Sequence, residues 1–339
     1  MDAALIIEWT IKSVVLILIC LTGFAYLTFY ERKALARIQV RIGPNRAGPF
    51  GVLQPVADGI KLIFKEELIP AKADRVIFIL APIVTVVPAL IILAVLPFGP
   101  TVNIFGRPVS LSVAGDINVG ILYITAIASI SVYGIVLAGW SSNNKYATMG
   151  GVRSTAQMIS YELALGLAFI GPILLAGTMS MSKIVEAQAG MWFVVYQPLG
   201  VLVFLIATLA EVNRAPFDMP EAEQELTAGY HTEYSGLKFA MFFMAEYVKM
   251  IAVSAIAATL FFGGYRGPFI DQLPWLGPIY LLLKVMILLF GMIWVRATLP
   301  RLRYDQLMAF GWKLLLPVAL FNVILTALLV MIFPGIGGY

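Results

Sequence analysis

Residues 210–236 read AEVNRAPFDMPEAEQELTAGYHTEYSG, with an apolar run long enough to cross a bilayer on either side: Met191–Ala210 before it and Leu237–Phe262 after it. Six more runs of the same kind lie outward from this pair: Ile11–Tyr30, Val76–Phe98, Val119–Trp140, Ala156–Ala176, Gly277–Val295 and Trp312–Phe333. Each is close to the roughly 20 residues needed to span about 30 Å of hydrocarbon. The pattern predicts an all-α polytopic membrane protein of eight transmembrane helices, one membrane domain over residues 1–339. The quoted stretch, 211–236, is then a loop between the fifth and sixth spans. It is crowded with acids: Glu211, Asp218, Glu221, Glu223, Glu225 and Glu233, with Glu246 a few turns into the next run. A solvated loop needs no such density. The acids also continue into the flanking helices, where charge is costly, so the loop is read as functional.

Composition agrees. The chain is 60% hydrophobic and 12% charged, against about a quarter charged for soluble domains, and its mean hydropathy is +0.91. The net charge of +4 is spread over several loops, with no basic, aromatic-interleaved surface, so no nucleic-acid partner is expected. Cys20 is the only cysteine and His231 the only histidine. That excludes an internal disulfide, cysteine-rich iron–sulfur sites, zinc sites and bis-histidine haem within the chain. Cys20 reads as packing. His231 reads as a solvated loop histidine, with a proton relay as the alternative. No glycine-rich nucleotide motif occurs. The first run follows Asp2 and Glu8 rather than a basic region and is read as a span, not a signal peptide.

Basic residues orient the bundle. Seventeen of the 23 lysines and arginines fall in or beside the loops after spans one, three, five and seven, and four on the opposite side. By the positive-inside rule those four loops face inward and both termini outward. The first inner loop, 31–75, is long. Its GPNRAGPFG segment, Gly43–Gly51, is a shaped turn. From Val52 to Lys65 the pattern turns helical: Leu53, Val56, Ile60, Ile63 and Phe64 form one stripe, and Gln54, Asp58, Lys61 and Lys65 the other. This is an amphipathic helix lying in the interface. It is either a surface anchor or the rim of an opening through which an amphiphile enters. Pro82, Pro88, Pro172, Pro198 and Pro317 interrupt spans and mark kinks. Gly166, Gly171 and Gly291 are candidates for close helix packing.

Four charges fall inside spans: Glu162, Glu246, Lys249 and Lys284. Such charges mark ion or proton paths unless they are paired. Glu246 and Lys249 share a helical face, so a structural pair competes with a path there. Glu162 has no base within a turn. Glu211 and Arg214 sit where the fifth span meets the loop and are placed to carry a path to the surface.

Three long segments then stand out: ERKALARIQVRIGPNRAGPFGVLQPVADGIKLIFKE from Glu31, the acidic loop with its continuation to Tyr247, and RATLPRLRYDQLMAFGWK from Arg296. They resemble the signature stretches of the H-subunit family of NADH-quinone oxidoreductase, the membrane subunit at the quinone end of respiratory complex I. The resemblance covers nearly the whole chain. It implies eight spans, some strongly tilted, enclosing a narrow quinone chamber with soluble subunits docked on the inner loops. By motif position it assigns Arg32, Asp58, Phe243 and Arg296 to the chamber and its entrance. It assigns Glu162, Glu211, Glu221, Glu223, Glu225 and Glu246 to a path coupling quinone reduction to proton movement. Arg41 and Arg46 serve the chamber or fix their loop. No catalytic residue or metal ligand is expected in the chain itself. Quinone is the substrate, and NADH, FMN and Fe-S clusters belong to partner subunits. The implied partners are soluble quinone-site and Fe-S subunits, small membrane subunits, antiporter-like subunits and membrane lipid. The implied location is the bacterial inner membrane, or the mitochondrial one.

Two alternatives remain from sequence: the equivalent subunit of a membrane-bound hydrogenase, and a stand-alone cation/proton transporter. The full acidic loop and the RYDQLM segment weigh against the first. The missing internal repeat weighs against the second. Co-purifying partners discriminate, since a transporter behaves alone.

Overall fold

The computed structural model describes residues 3–104, 107–114, 117–219, 223–270 and 272–333. Glu221 lies outside the described residues, and of Glu223 only the backbone is described.

The described residues are mostly helical. Helix α1 (Ala3–Ile38) is followed by the short α2 (Gln54–Phe64) and by α3 (Arg75–Ile92). A small antiparallel hairpin, β1 (Val102–Ile104) and β2 (Arg107–Val109), precedes α4 (Gly120–Ser141) and α5 (Lys145–Ala176). Next come α6 (Met181–Ala187), α7 (Phe193–Tyr196) and α8 (Pro198–Glu211), then α9 (Glu223–Leu226) within the acidic loop. Helices α10 (Gly236–Phe261), α11 (Gly277–Thr298), α12 (Tyr304–Phe310) and α13 (Leu316–Ile332) complete the chain. A π-helical turn, Gly311–Leu315, joins the last two.

Among the described residues seven helices are long and apolar enough to cross a membrane, and α8 is a shorter apolar one. The fifth span, expected over Met191–Ala210, is therefore broken. Gln197 leaves helical geometry at φ −132°, and Pro198 restarts the helix at its first position, where its missing N–H costs nothing. At about 1.5 Å per residue the 14 residues of α8 rise only about 21 Å. It still runs back through the bundle antiparallel to α5. Gly171, near the C-terminal end of α5, faces Gln197 at the start of α8, whereas Arg153, near the other end of α5, holds Glu225 beyond α8. Two further boundaries move. Helix α1 continues past Tyr30 through Arg32, Lys33 and Arg37, and α5 begins eleven residues before Ala156, so part of each expected loop is helix.

The loops sort to two ends of the bundle. At one end the Asp74 amide donates to the Ser141 carbonyl at 3.1 Å, and the Leu302 amide to the Pro216 carbonyl at 3.1 Å. Asn144 Nδ2 donates to Glu233 at 2.7 Å there as well. At the other end Gly99 and Pro100 lie against Gly277 and Pro278, and the Ile121 amide donates to Met179.

Helix starts follow capping chemistry. Asp74 Oδ1 accepts from the Val76 and Ile77 amides at the start of α3, and Asn144 Oδ1 from the Tyr146 amide at the start of α5. Close packing uses one of the three glycines expected, Gly171, and others besides. Gly166 and Gly291 have nothing within 4 Å of a Cβ position, whereas a Cβ on Gly134 would stand 2.1 Å from Thr85 Oγ1 and one on Gly139 2.6 Å from the Ala147 carbonyl. The α3–α4–α5 layer is drawn tight by those two. Gly171 does pack closely, against the Gln197 amide. Pro82, Pro88 and Pro172 stay inside continuous helices.

Candidate functional site

The end of the bundle that holds the acidic loop also holds its buried charges. Glu31, in the last turns of α1, is 3% exposed. One of its oxygens accepts from Arg296 Nη1 at the end of α11 and lies 3.8 Å from Arg214 Nη1. The other guanidinium nitrogen of Arg214 lies 3.8 Å from Glu246 Oε2 on α10, and the guanidinium stands 4.4 Å above the Tyr247 ring. The Tyr230 hydroxyl donates to Glu246 Oε1 at 3.2 Å. Four elements far apart in sequence thus meet at two carboxylates and two arginines. Arg214, which sequence placed with Glu211 at the start of a path to the surface, turns toward α1 and α10. It is held there by Gln157 of α5, whose Nε2 lies 2.7 Å from the Ala210 carbonyl and 2.6 Å from that of Phe217, pinning both ends of the turn that carries it.

Behind this cluster runs a second set of charges. Glu211 is buried, and its Oε2 has no hydrogen-bond partner among the described residues. Lys249, also buried on α10, feels the charge of Glu211, Glu246 and Glu162. Glu162 on α5 is contacted by Ser129 Oγ of α4. The charge of Glu162 acts on Lys249 across the bundle. Glu246 is shared: it stands by Arg214 and Tyr230, and its charge also acts on Lys249. At the loop's surface Glu225 accepts from Arg153 Nη1 at 2.6 Å and Glu233 from Asn144.

Toward the outside of the cluster lies α2. None of its residues is buried, and Val56, Ile60, Ile63 and Phe64 are all exposed. That is the geometry of an interfacial helix presenting its apolar stripe outward. Arg32 Nη1 donates to Asp58 Oδ2 at 2.7 Å, tying α2 to α1, and Gln54 Nε2 supports the other oxygen at 3.2 Å. Phe243 is half-buried between them and the acids, in an aromatic row with Phe239, 4.6 Å away, and Tyr247, 6.4 Å away.

Two readings from sequence change. His231 is not solvated: it is 6% exposed, set edge-on against Tyr230, Phe239 and Phe243, and burial pushes its pKa down to about 4. It is neutral at pH 7. Lys284 does not mark a path. Its ammonium donates to the carbonyls of Phe262, Gly264 and Arg266 at 2.6–2.8 Å and lies 4.8 Å from the Trp192 ring. It caps the negative end of α10. Of the expected site residues, the fold brings Arg296 and Glu246 onto the Glu31–Arg214 cluster, and the charges of Glu211, Glu246 and Glu162 act on Lys249. Arg32 and Asp58 form a separate pair at the rim, and Glu225 stands at the surface. Glu31, Ser129 and Gln157 were missed. Glu31 was visible as an acid at the inner end of a span, but its partners are 183 and 265 residues away.

Fold and site together define a multi-pass membrane protein with a buried, multi-helix charge network beneath an acidic loop. The chain belongs to the NADH dehydrogenase family, whose model matches residues 11–327. It is 54% identical over 306 residues to the H subunit of NADH-quinone oxidoreductase from Protochlamydia amoebophila, covering 90% of this chain and 92% of that one. It is 51% identical over 338 residues to the H subunit from Thermomicrobium roseum, covering 97% of each chain. It is also 51% identical over 335 residues to the second of the numbered H subunits from Geobacter metallireducens, covering 96% of each. The resemblance seen in the three motif segments is met by these matches.

Proposed function

We propose that this chain is the membrane subunit at the quinone end of a proton-pumping NADH:quinone oxidoreductase in a bacterial inner membrane. In this reading it walls part of the quinone chamber, and its acids couple quinone reduction to proton movement. The observation that carries the proposal is Arg214, held between Glu31 and Glu246 at 3.8 Å from each. An arginine shared by two buried carboxylates can lean toward either as nearby charge changes, and reduction of a quinone adds negative charge to a site with little water. Lys249 then relays the change electrostatically to Glu211 and Glu162. Substrate enters past α2 and the Arg32–Asp58 pair, with Phe243 and Arg296 lining the way. Glu221, Glu223 and Glu225 extend the acid series along the loop. Gly229 and Gly236, both at left-handed φ of 58–59°, are the points about which the loop turns. The inner loops dock soluble quinone-site and Fe-S subunits, which bring NADH, FMN and clusters, while small membrane and antiporter-like subunits lie beside the bundle.

The test is Glu162→Gln and Glu211→Gln in the assembled complex. Glutamine keeps size and hydrogen bonding but cannot titrate. Both variants should lose coupled proton uptake in reconstituted vesicles while NADH oxidation by an artificial acceptor stays at the wild-type rate. Pumping at the wild-type proton-to-electron ratio in both would remove these acids from the path.

A further inference from the structure

Helix α2 has no buried residue, so apolar packing does not hold it in place. One fastening is the Arg32–Asp58 pair to α1. A second lies just beyond its C-terminal end. Ser235 Oγ donates to the Glu66 carbonyl at 3.1 Å and accepts from the Leu68 amide at 3.2 Å, bracketing the chain from both sides. Lys238 Nζ donates to Glu67 Oε2 at 2.8 Å, with the lysine side chain 13% exposed and the glutamate 41%. Between Ser235 and Lys238, Gly236 starts α10 at φ +59°, and a Cβ there would stand 3.2 Å from the Lys65 carbonyl. Only glycine adopts that backbone freely and lets the two segments lie this close. These contacts join residues about 170 positions apart in sequence.

Resting on the entrance reading above, we infer that Glu67, Ser235 and Lys238 form a clasp that positions α2 for substrate entry. The clasp fixes the far end of the interfacial helix to the first turn of α10, the helix that carries Phe243 and Glu246. Its three members are positioning residues: they touch α2's exit, not the substrate. Because α10 begins where the acidic loop ends, displacement of that loop is transmitted through Ser235 and Lys238 to the rim. The ligand served is a quinone with a long apolar tail, since only a tail that must slide past α2 is sensitive to where α2 lies.

The experiment uses the intact complex and compares Glu67→Gln, Lys238→Gln, the charge swap Glu67→Lys with Lys238→Glu, and Arg32→Ala. Each is assayed with a long-tailed quinone, a short-tailed quinone and an artificial acceptor of NADH electrons. Loss of either clasp charge should raise KM for the long-tailed quinone about threefold to fivefold, as expected for a half-exposed pair. Its kcat, the short-tailed KM and the artificial-acceptor rate should be unchanged, and the swap should restore the long-tailed KM. Equal loss on both quinones, a fall in kcat alone, or a swap as poor as the single variants would overturn the clasp. If Arg32→Ala raises the long-tailed KM while the clasp variants do not, the clasp fails and the entrance reading stands. If none of the four changes it, both fail.

Discussion

Replacing Glu31 by glutamine tests the charge cluster most directly. Glu31 is 3% exposed and serves two arginines. At 3.8 Å from Arg214 its gross attraction is about 4 kcal/mol at an effective dielectric of about 20. The Arg296 contact adds less, because that side chain is 32% exposed and screened by water. Removing one member of a buried ion pair typically costs about 3–5 kcal/mol, chiefly because the partner stays buried and uncompensated. Glutamine retains one acceptor oxygen and so recovers about 1 kcal/mol. The expected net loss is about 2–4 kcal/mol. In a multisubunit membrane complex unfolding is not two-state, so the assay is the rate of irreversible thermal inactivation of quinone reduction. A loss of about 2 kcal/mol corresponds to roughly 30-fold faster inactivation if the contacts are broken in the transition state. Arg296→Gln alone should cost less, and the double variant should cost about 1 kcal/mol less than the two singles together. Strict additivity, or a change under about twofold in Glu31→Gln, would mean that Glu31 is not the hub.

His231 should make the protein acid-sensitive. Its folded pKa of about 4 lies below the ordinary 6.5, so the fold favours the neutral ring. That stabilisation is present above pH 6.5 and is lost as pH falls from there toward 4, the loss reaching about 2 kcal/mol by pH 5. His231→Phe should flatten the inactivation rate between pH 8 and pH 5; an unchanged pH profile would contradict this. Lys284→Met leaves three carbonyls at the end of α10 without their cation and should cost about 2–3 kcal/mol in thermal inactivation, with no specific change in quinone KM. A Cβ on Gly150 would meet the Gly229 backbone at 2.8 Å. Gly150→Ala should therefore push the acidic loop off α5 and lower coupled activity, readable as faster protease cleavage within 211–236.

Much was legible in the chain alone. Hydropathy found seven of the spans outright because burying an apolar run in lipid is a local property of about 20 residues. The same is true of α2, whose polar and apolar stripes repeat at helical spacing. The acidic loop and the site's acids were visible as charge where charge is expensive, and motif resemblance named the family. What depended on tertiary structure is which groups meet. Sequence spacing put Glu246 and Lys249 on one helix face as a candidate pair and left Glu211 and Arg214 together at the end of a span. The fold turned Arg214 toward Glu31 and Glu246, and set Lys249 under the charges of Glu211, Glu246 and Glu162 together. His231 looked solvated in a polar loop, yet the loop folds back onto aromatic rings that local composition does not reveal. Lys284 looked like a charge stranded in hydrocarbon, yet α10 ends beside it. The break at Gln197 was marked by Pro198, but proline also sits within unbroken α3 and α5, so the mark was ambiguous. Hydrophobicity and helical period are set by neighbours along the chain, whereas the partner of a buried charge is set by helix packing between residues up to 265 positions apart.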